Sequence, residues 1–296
     1  MKIFLKHIAI YGSLVFILLN LLALGSFWSL RQSTFYKPSF AINQDNLDLD
    51  YIVLGSSTGL TTLDTKQIDS LTNWQGLNLS MDDTGLASHY LMLKHFLESG
   101  GQLKRCILAI TPWDVANAHP ELGNNDHRFL PFIFRKEVKD HFKDLPTDDL
   151  SPVYGSTFVP LYGLSYYNTE LFYPSLIALA KPDYRNRFDA KGNYVYPNFG
   201  SALETKTIKR SEYQFKNPYL EKIQLLCEEN GIELILYQSP LLNQQQITPK
   251  AYTMINHSTL LAQDTALFYD AIHVNRRGRV LATQEFVKEI IKHDIL

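Results

Sequence analysis

The longest apolar stretch lies at the start of the chain, where no Asp, Glu, Lys or Arg occurs between Lys6 and Arg31. Ile8 to Trp28 has the length needed to cross a hydrocarbon core of roughly 30 Å at about 1.5 Å per residue. Its Leu, Ile, Val and Phe side chains each favour insertion by at least about 0.3 kcal/mol, a sum that Asn20 alone does not cancel. The pattern predicts a membrane anchor, with Trp28 at the outer interface. Small residues within Ala23-Leu24-Gly25 keep a cleaved signal peptide open as the alternative. Lys2 and Lys6 favour an inside amino terminus, although Arg31 and Lys37 make that bias shallow.

After a polar stretch from Asn43 to Asp50 the periodicity changes. Tyr51-Ile-Val-Leu54 is a short apolar run ending in a Gly-Ser-Ser turn, the pattern of a buried parallel strand. Gly76 to Leu79 reads as a second strand. Thr84 to Ser99 reads as a helix with Leu86, Tyr90, Leu93, Phe96 and Leu97 inward, stopped by Gly100-Gly101. Leu103 to Ile110 is a third strand. Asn217-Pro218 starts a helix with Leu220, Ile223, Leu226 and Cys227 inward, and Asn230-Gly231 ends it before a fourth strand, Ile232 to Tyr237. Ala266 to Tyr269 predicts a short fifth strand, followed by a last helix. Alternation of strands and helices points to an α/β sandwich with a mainly parallel sheet, which binds ligands at the strands' carboxyl ends.

Between Pro112 and Phe215 the chain is too long for an ordinary crossover, is rich in Tyr and Phe, and is broken by prolines including Pro131, Pro146 and Pro152. It reads as an insertion. Its aromatics can form a small satellite core, line a cleft, stack on sugars or dip into a membrane surface. The expected organisation is therefore residues 1–31 as tail and anchor, 32–49 as linker, and 50–296 as one domain with an insertion at about 112–215. With 28 basic and 30 acidic side chains the net charge is −2, which gives no general attraction for nucleic acid. Cys106 and Cys227 form no CxxC motif and are expected as buried thiols.

Two signatures carry chemistry: Gly55-Ser56-Ser57 at the end of the first strand, and Asp270-x-x-His273-x-Asn275-x-x-Gly278 before the last helix. A nucleophilic hydroxyl needs a base and a group that orients the base; Ser57, His273 and Asp270 supply those types. Both signatures fall at the carboxyl edge of the predicted sheet, which can join them despite the intervening chain. Asn275 and Gly278 read as turn-forming. Gly55 to Gly59 also fits the Gly-x-Ser-x-Gly elbow of α/β-hydrolases, but its place after the first strand and the adjacent acid and base fit that pattern poorly. His119, Glu121, Asp126 and His127 match no standard metal spacing and read as surface polarity, so neither metal nor cofactor is called for.

These residues resemble the blocks of the SGNH (GDSL-like) hydrolase and acyltransferase superfamily, over roughly residues 50–115 and 216–296. The resemblance implies a three-layer SGNH-like sandwich with Ser57 as nucleophile, His273 as general base and Asp270 as its orienting acid. Within the superfamily, the preceding apolar span and Gly-Ser-Ser in place of Gly-Asp-Ser resemble anchored surface-polymer acyl-transfer proteins. The usual oxyanion donors, a block II glycine and a block III asparagine, are not evident in Asn78 to Gly85 or in Thr111-Pro112-Trp113-Asp114. The backbone amides of Ser57 and Asp83 are the candidates left. The implied activity is acyl transfer or ester hydrolysis, with acetyl as the acyl group, on cell-surface or exported glycans outside the cell membrane. The resemblance further implies a membrane acyl-donor partner. A catalytically silent glycan-binding or assembly subunit and a simple lipase or esterase are the competing expectations.

Overall fold

A computed structural model of the 296-residue chain describes residues 1–145, 152–199, 202–250 and 253–292. Pro146 lies outside the described residues. The chain divides into two compact units: residues 1–43 with 126–186, and residues 44–125 with 187–296.

The first unit begins with α1 (Lys2–Arg31), the one described helix long and apolar enough to cross a membrane, and continues into α2 (Lys37–Ile42). The second unit follows with β1 (Asp48–Gly55), α3 (Ser57–Thr62), α4 (Thr65–Thr72), β2 (Gly76–Asn78), α5 (Leu86–Glu98), β3 (Gln102–Ile110) and α6 (Pro112–Ala116). The chain then returns to the first unit through a 3-10 turn (Asp126–Phe132), α7 (Lys136–Asp144), α8 (Pro152–Gly155), α9 (Pro160–Tyr166) and α10 (Asn168–Ala180). It re-enters the second with β4 (Lys209–Glu212), α11 (Pro218–Glu229), β5 (Glu233–Gln238), β6 (Gln244–Ile247), β7 (Ile255–Asn256), a 3-10 turn (Thr265–Leu267) and α12 (Arg276–Lys292).

In the second unit the sheet order is β2-β1-β3-β5-β7, with every pair parallel. β1 and β3 are apolar on both sides because helices cover both faces. Tyr51, Val53, Ile107, Ala109, Ile235 and Tyr237 join Ile68, Phe286, Val287 and Ile290 of α4 and α12 in one buried cluster. α5 packs on β1, α11 on β5, and the two helices on each other. From β1 the chain steps outward to β2; from β3 it proceeds the other way. The order therefore reverses between β1 and β3, and the carboxyl ends of those strands diverge into a crevice, the usual ligand position in open α/β sheets. β4 and β6 form a separate two-stranded parallel ribbon.

Two local expectations require correction. Ala266 to Tyr269 is not a sheet strand: Asp264 accepts the Ala266 N–H and caps a 3-10 turn, and only Phe268 pairs, antiparallel, with Val274. β7 takes the edge position beside β5 instead, through a pairing too short to leave a periodic signal. Within residues 32–49, Pro38 starts α2 and Phe40 and Ala41 are buried. Asp126 and His127 are not surface residues. The turn that carries them buries Phe129, Leu130 and Phe132, Asp126 meets His141 Nε2 at 3.0 Å, and His127 stacks on Tyr167. Of the stretch 112–215, residues 126–186 group with 1–43, and the parts before and after them group with the second unit.

Candidate active site

β1 ends at Gly55, the extended Ser56 caps α3, and Ser57 is the first residue of that helix. Two glycines make that sharp transition possible. A Cβ on Gly55 would sit 2.8 Å from the Ala109 carbonyl oxygen, and one on Gly59 would sit 2.8 Å from Ser80 Oγ, so any side chain at either position would push β1 and α3 off β3.

The partner residues come from the loop 268–274, which is closed by the Phe268–Val274 bridge. Asp270 Oδ1 accepts the backbone N–H groups of Ile272 and His273, both at 2.9 Å, forming a tight turn. The same carboxylate takes the His273 ring through Nδ1, at 2.8 Å to Oδ2 and 3.0 Å to Oδ1. A carboxylate accepts only, so Nδ1 carries the proton and Nε2 offers a lone pair, which faces Ser57 Oγ at 2.8 Å. Partial burial opposes the Asp270 charge, but the hydrogen bonds from His273 and Ile272 outweigh it and hold the carboxyl below its ordinary range. The Tyr196 ring lies 5.2 Å from the imidazole and stacks on Tyr269 at 4.2 Å, so the ring is supported sideways as well. Burial and the nearby Tyr194 and Asp270 push the Tyr196 phenol up to about 12, which keeps it neutral.

Asn275 and Gly278 complete the motif's logic. Asn275 is fully buried and caps α12, its Oδ1 accepting from the N–H groups of Arg277 and Gly278. Its amide donates to the Ala266 carbonyl at 2.9 Å and also reaches that of Phe268, tying the start of the loop to the helix. A Cβ on Gly278 would lie 2.2 Å from the Leu267 carbonyl oxygen. Each specified position of Asp-x-x-His-x-Asn-x-x-Gly thus either belongs to the serine–imidazole–carboxylate chain or fixes the loop that carries it.

Beside Ser57 opens a cleft of about 390 Å³, lined among others by Asp83, Trp113, Asp114, Asn117, Asn124 and Ile272. It occupies the crevice that the strand order opens, with residues following β1, β2 and β3. Asp83 adopts a left-handed backbone (φ 51°), a conformation that Asp tolerates better than most residues and that glycine takes most readily. Asp114 accepts the Leu86 N–H at the start of α5, and burial raises its carboxyl to about 6 despite that bond. Trp113 is half exposed. Asp114, Asn117 and Asn124 were not singled out as site residues from sequence. The available signal was the position of Thr111 to Asp114 at the carboxyl end of β3; the loop 117–124 carries none.

Among the described residues no group of three or more His, Cys, Asp or Glu side chains is arranged to hold a metal ion. No protein-family model matches the chain, and no curated protein matches it.

Proposed function

We propose that the protein is a membrane-anchored, SGNH-like serine acyltransferase or esterase acting on ester-linked acetyl groups of cell-surface or exported glycans. The observation that carries this reading is the 2.8 Å approach of Ser57 Oγ to His273 Nε2, with Asp270 on the opposite ring nitrogen. The imidazole takes the Ser57 proton as Oγ attacks the ester carbonyl. The intermediate collapses, the imidazolium protonates the departing alcohol, and acetyl-Ser57 remains. The same imidazole then takes the proton of a sugar hydroxyl, giving transfer, or of water, giving hydrolysis, and the serine is restored. A base so positioned contributes about 10²–10⁴ in rate. The amide of Ser57, in the first turn of a helix where N–H groups lack intrahelical acceptors, and that of Asp83 are assigned to the developing oxyanion.

The glycan assignment draws on the cleft. Trp113 offers a flat apolar face to a pyranose ring, and Asp114, Asn117 and Asn124 offer hydrogen-bonding groups to its hydroxyls. The reading of α1 as a retained anchor draws on its carboxyl-terminal third, where Ala23, Ser26, Phe27, Ser29 and Leu30 are buried against the first unit. Cleavage near Gly25 would remove part of that packing. In the transfer reaction a membrane acyltransferase is the partner that supplies the acetyl group.

The test is turnover of an aryl acetate, and labelling by a fluorophosphonate, in purified wild type and Ser57→Ala. Turnover and labelling confined to the wild type are expected; equal behaviour of the two proteins overturns the assignment. Glycan binding without turnover, retained in Ser57→Ala and His273→Ala, would assign a binding or assembly subunit instead.

A further inference from the structure

We propose that α9 and α10 lie in the bilayer leaflet at the carboxyl end of α1, so that the first unit is seated in lipid as well as tethered by a single helix. The inference rests on α1 spanning the membrane and goes beyond it by placing a second pair of helices at the same depth.

α1 is exposed on every side as far as Leu19, and from Ala23 onward one face is buried against α9, α10 and the 3-10 turn 126–132. Two hydrogen bonds fix the level of that contact. The Leu161 N–H in the first turn of α9 donates to Asn20 Oδ1 at 3.1 Å, and Ser29 Oγ donates to the Ser175 carbonyl of α10 at 2.7 Å. Asn20 and Ser29 are separated by about 13 Å of helix, while a span needs only about 20 of the 30 residues of α1. With the apolar run Ile8 to Trp28 in the hydrocarbon, Asn20 lies within the outer half and Ser29 at its edge. α9 and α10 touch α1 along that interval, so lipid that sheathes α1 there also meets α10.

The sequence of α10 suits that solvent. Between Glu170 and Lys181 it carries no charged residue. Leu171, Pro174, Ser175 and Ala178 form its buried stripe. The opposite ridge is apolar too, with Tyr173 64% exposed, Leu176 48% and Leu179 65%. A helix apolar all round belongs in a protein core or in lipid, and no described segment covers this ridge. Tyr162, Tyr166 and Trp28 are exposed on α9 and α1, as aromatic residues at a membrane boundary commonly are. Asn20 fits as well. In lipid an unpaired helix N–H is expensive, and the single amide of the span takes one at the start of α9 while donating its own hydrogen to the Phe16 carbonyl.

The test uses the full chain in vesicles of phosphatidylcholine and phosphatidylglycerol with bromine-bearing acyl chains and no other protein. A single environment-sensitive fluorophore is attached to Leu14→Cys, Leu176→Cys, Leu179→Cys or Lys136→Cys; the native Cys106 and Cys227 are buried. Labels at 14, 176 and 179 are expected to be quenched severalfold more by bromolipid than by aqueous iodide, and the label at 136 the reverse. Iodide quenching at 176 and 179 that matches position 136, with position 14 still in lipid, overturns the proposal and leaves the span standing. Iodide quenching at position 14 as well overturns both.

Discussion

Replacing Asp114 by Asn tests the electrostatics of the cleft independently of any assigned reaction. The carboxyl sits at about 6 in the folded chain against an ordinary value of 3.8, because burial opposes its charge more strongly than the Leu86 N–H supports it. A folded-state value above the unfolded one means that the group's contribution is whole below the unfolded value and is lost as pH rises through the folded one. About two units at about 1.4 kcal/mol each gives up to about 3 kcal/mol lost between pH 4 and 7. Asn keeps the acceptor for Leu86 and has no charge to bury. Thermal melts of the full chain in detergent micelles should therefore nearly coincide for wild type and Asp114→Asn below pH 4. They should separate as pH rises, the variant melting up to about 10 °C higher at pH 7, at roughly 2–4 °C per kcal/mol for a domain of this size. A gap that does not change with pH, or a wild type that gains on the variant as pH rises, refutes the reasoning.

Three further outcomes are expected. Asp270→Asn leaves the fold intact and lowers acetyl-ester turnover by about 10⁴, because the amide no longer enforces the Nδ1–H tautomer of His273; near-normal turnover with an unchanged circular dichroism spectrum would contradict this. Gly278→Ala forces a methyl group against the Leu267 carbonyl and the Val274 side chain. It should cost about 1–3 kcal/mol by overpacking, read as a lower melting temperature, and an unshifted melt argues against the packing described. Asn275→Ala removes the α12 cap, worth about 1 kcal/mol in stability, and frees the 268–274 loop. Turnover should fall further than stability alone explains, and a normal kcat would separate the loop from the site.

Local chemistry was legible where one segment dictates its own form. β1, β3 and β5 announce themselves as apolar runs, α5 and α11 by periodic apolar faces with turn residues at their ends, and α1 by the absence of charge. The Asp-x-x-His-x-Asn-x-x-Gly signature was legible because most of its contacts lie within a dozen residues: the Asp270 turn, the Asp270–His273 pair and the Asn275 cap. Ala266 to Tyr269 misled because its apolar pattern matches a strand while the side chains of Asp264 and Asn275 claim its backbone groups.

Residue order alone dictates the kind of elements present, their succession along the chain and the residue types available for a proton relay. Tertiary structure decided their partners. The reversal of strand order between β1 and β3, the entry of Asp114, Asn117 and Asn124 into the cleft beside Ser57, and the joining of 126–186 to 1–43 all depend on contacts between residues far apart in the chain. Such contacts leave no period in the sequence, because each is set by which buried faces fit together once the elements exist, and the burial that raises Asp114 arises only there.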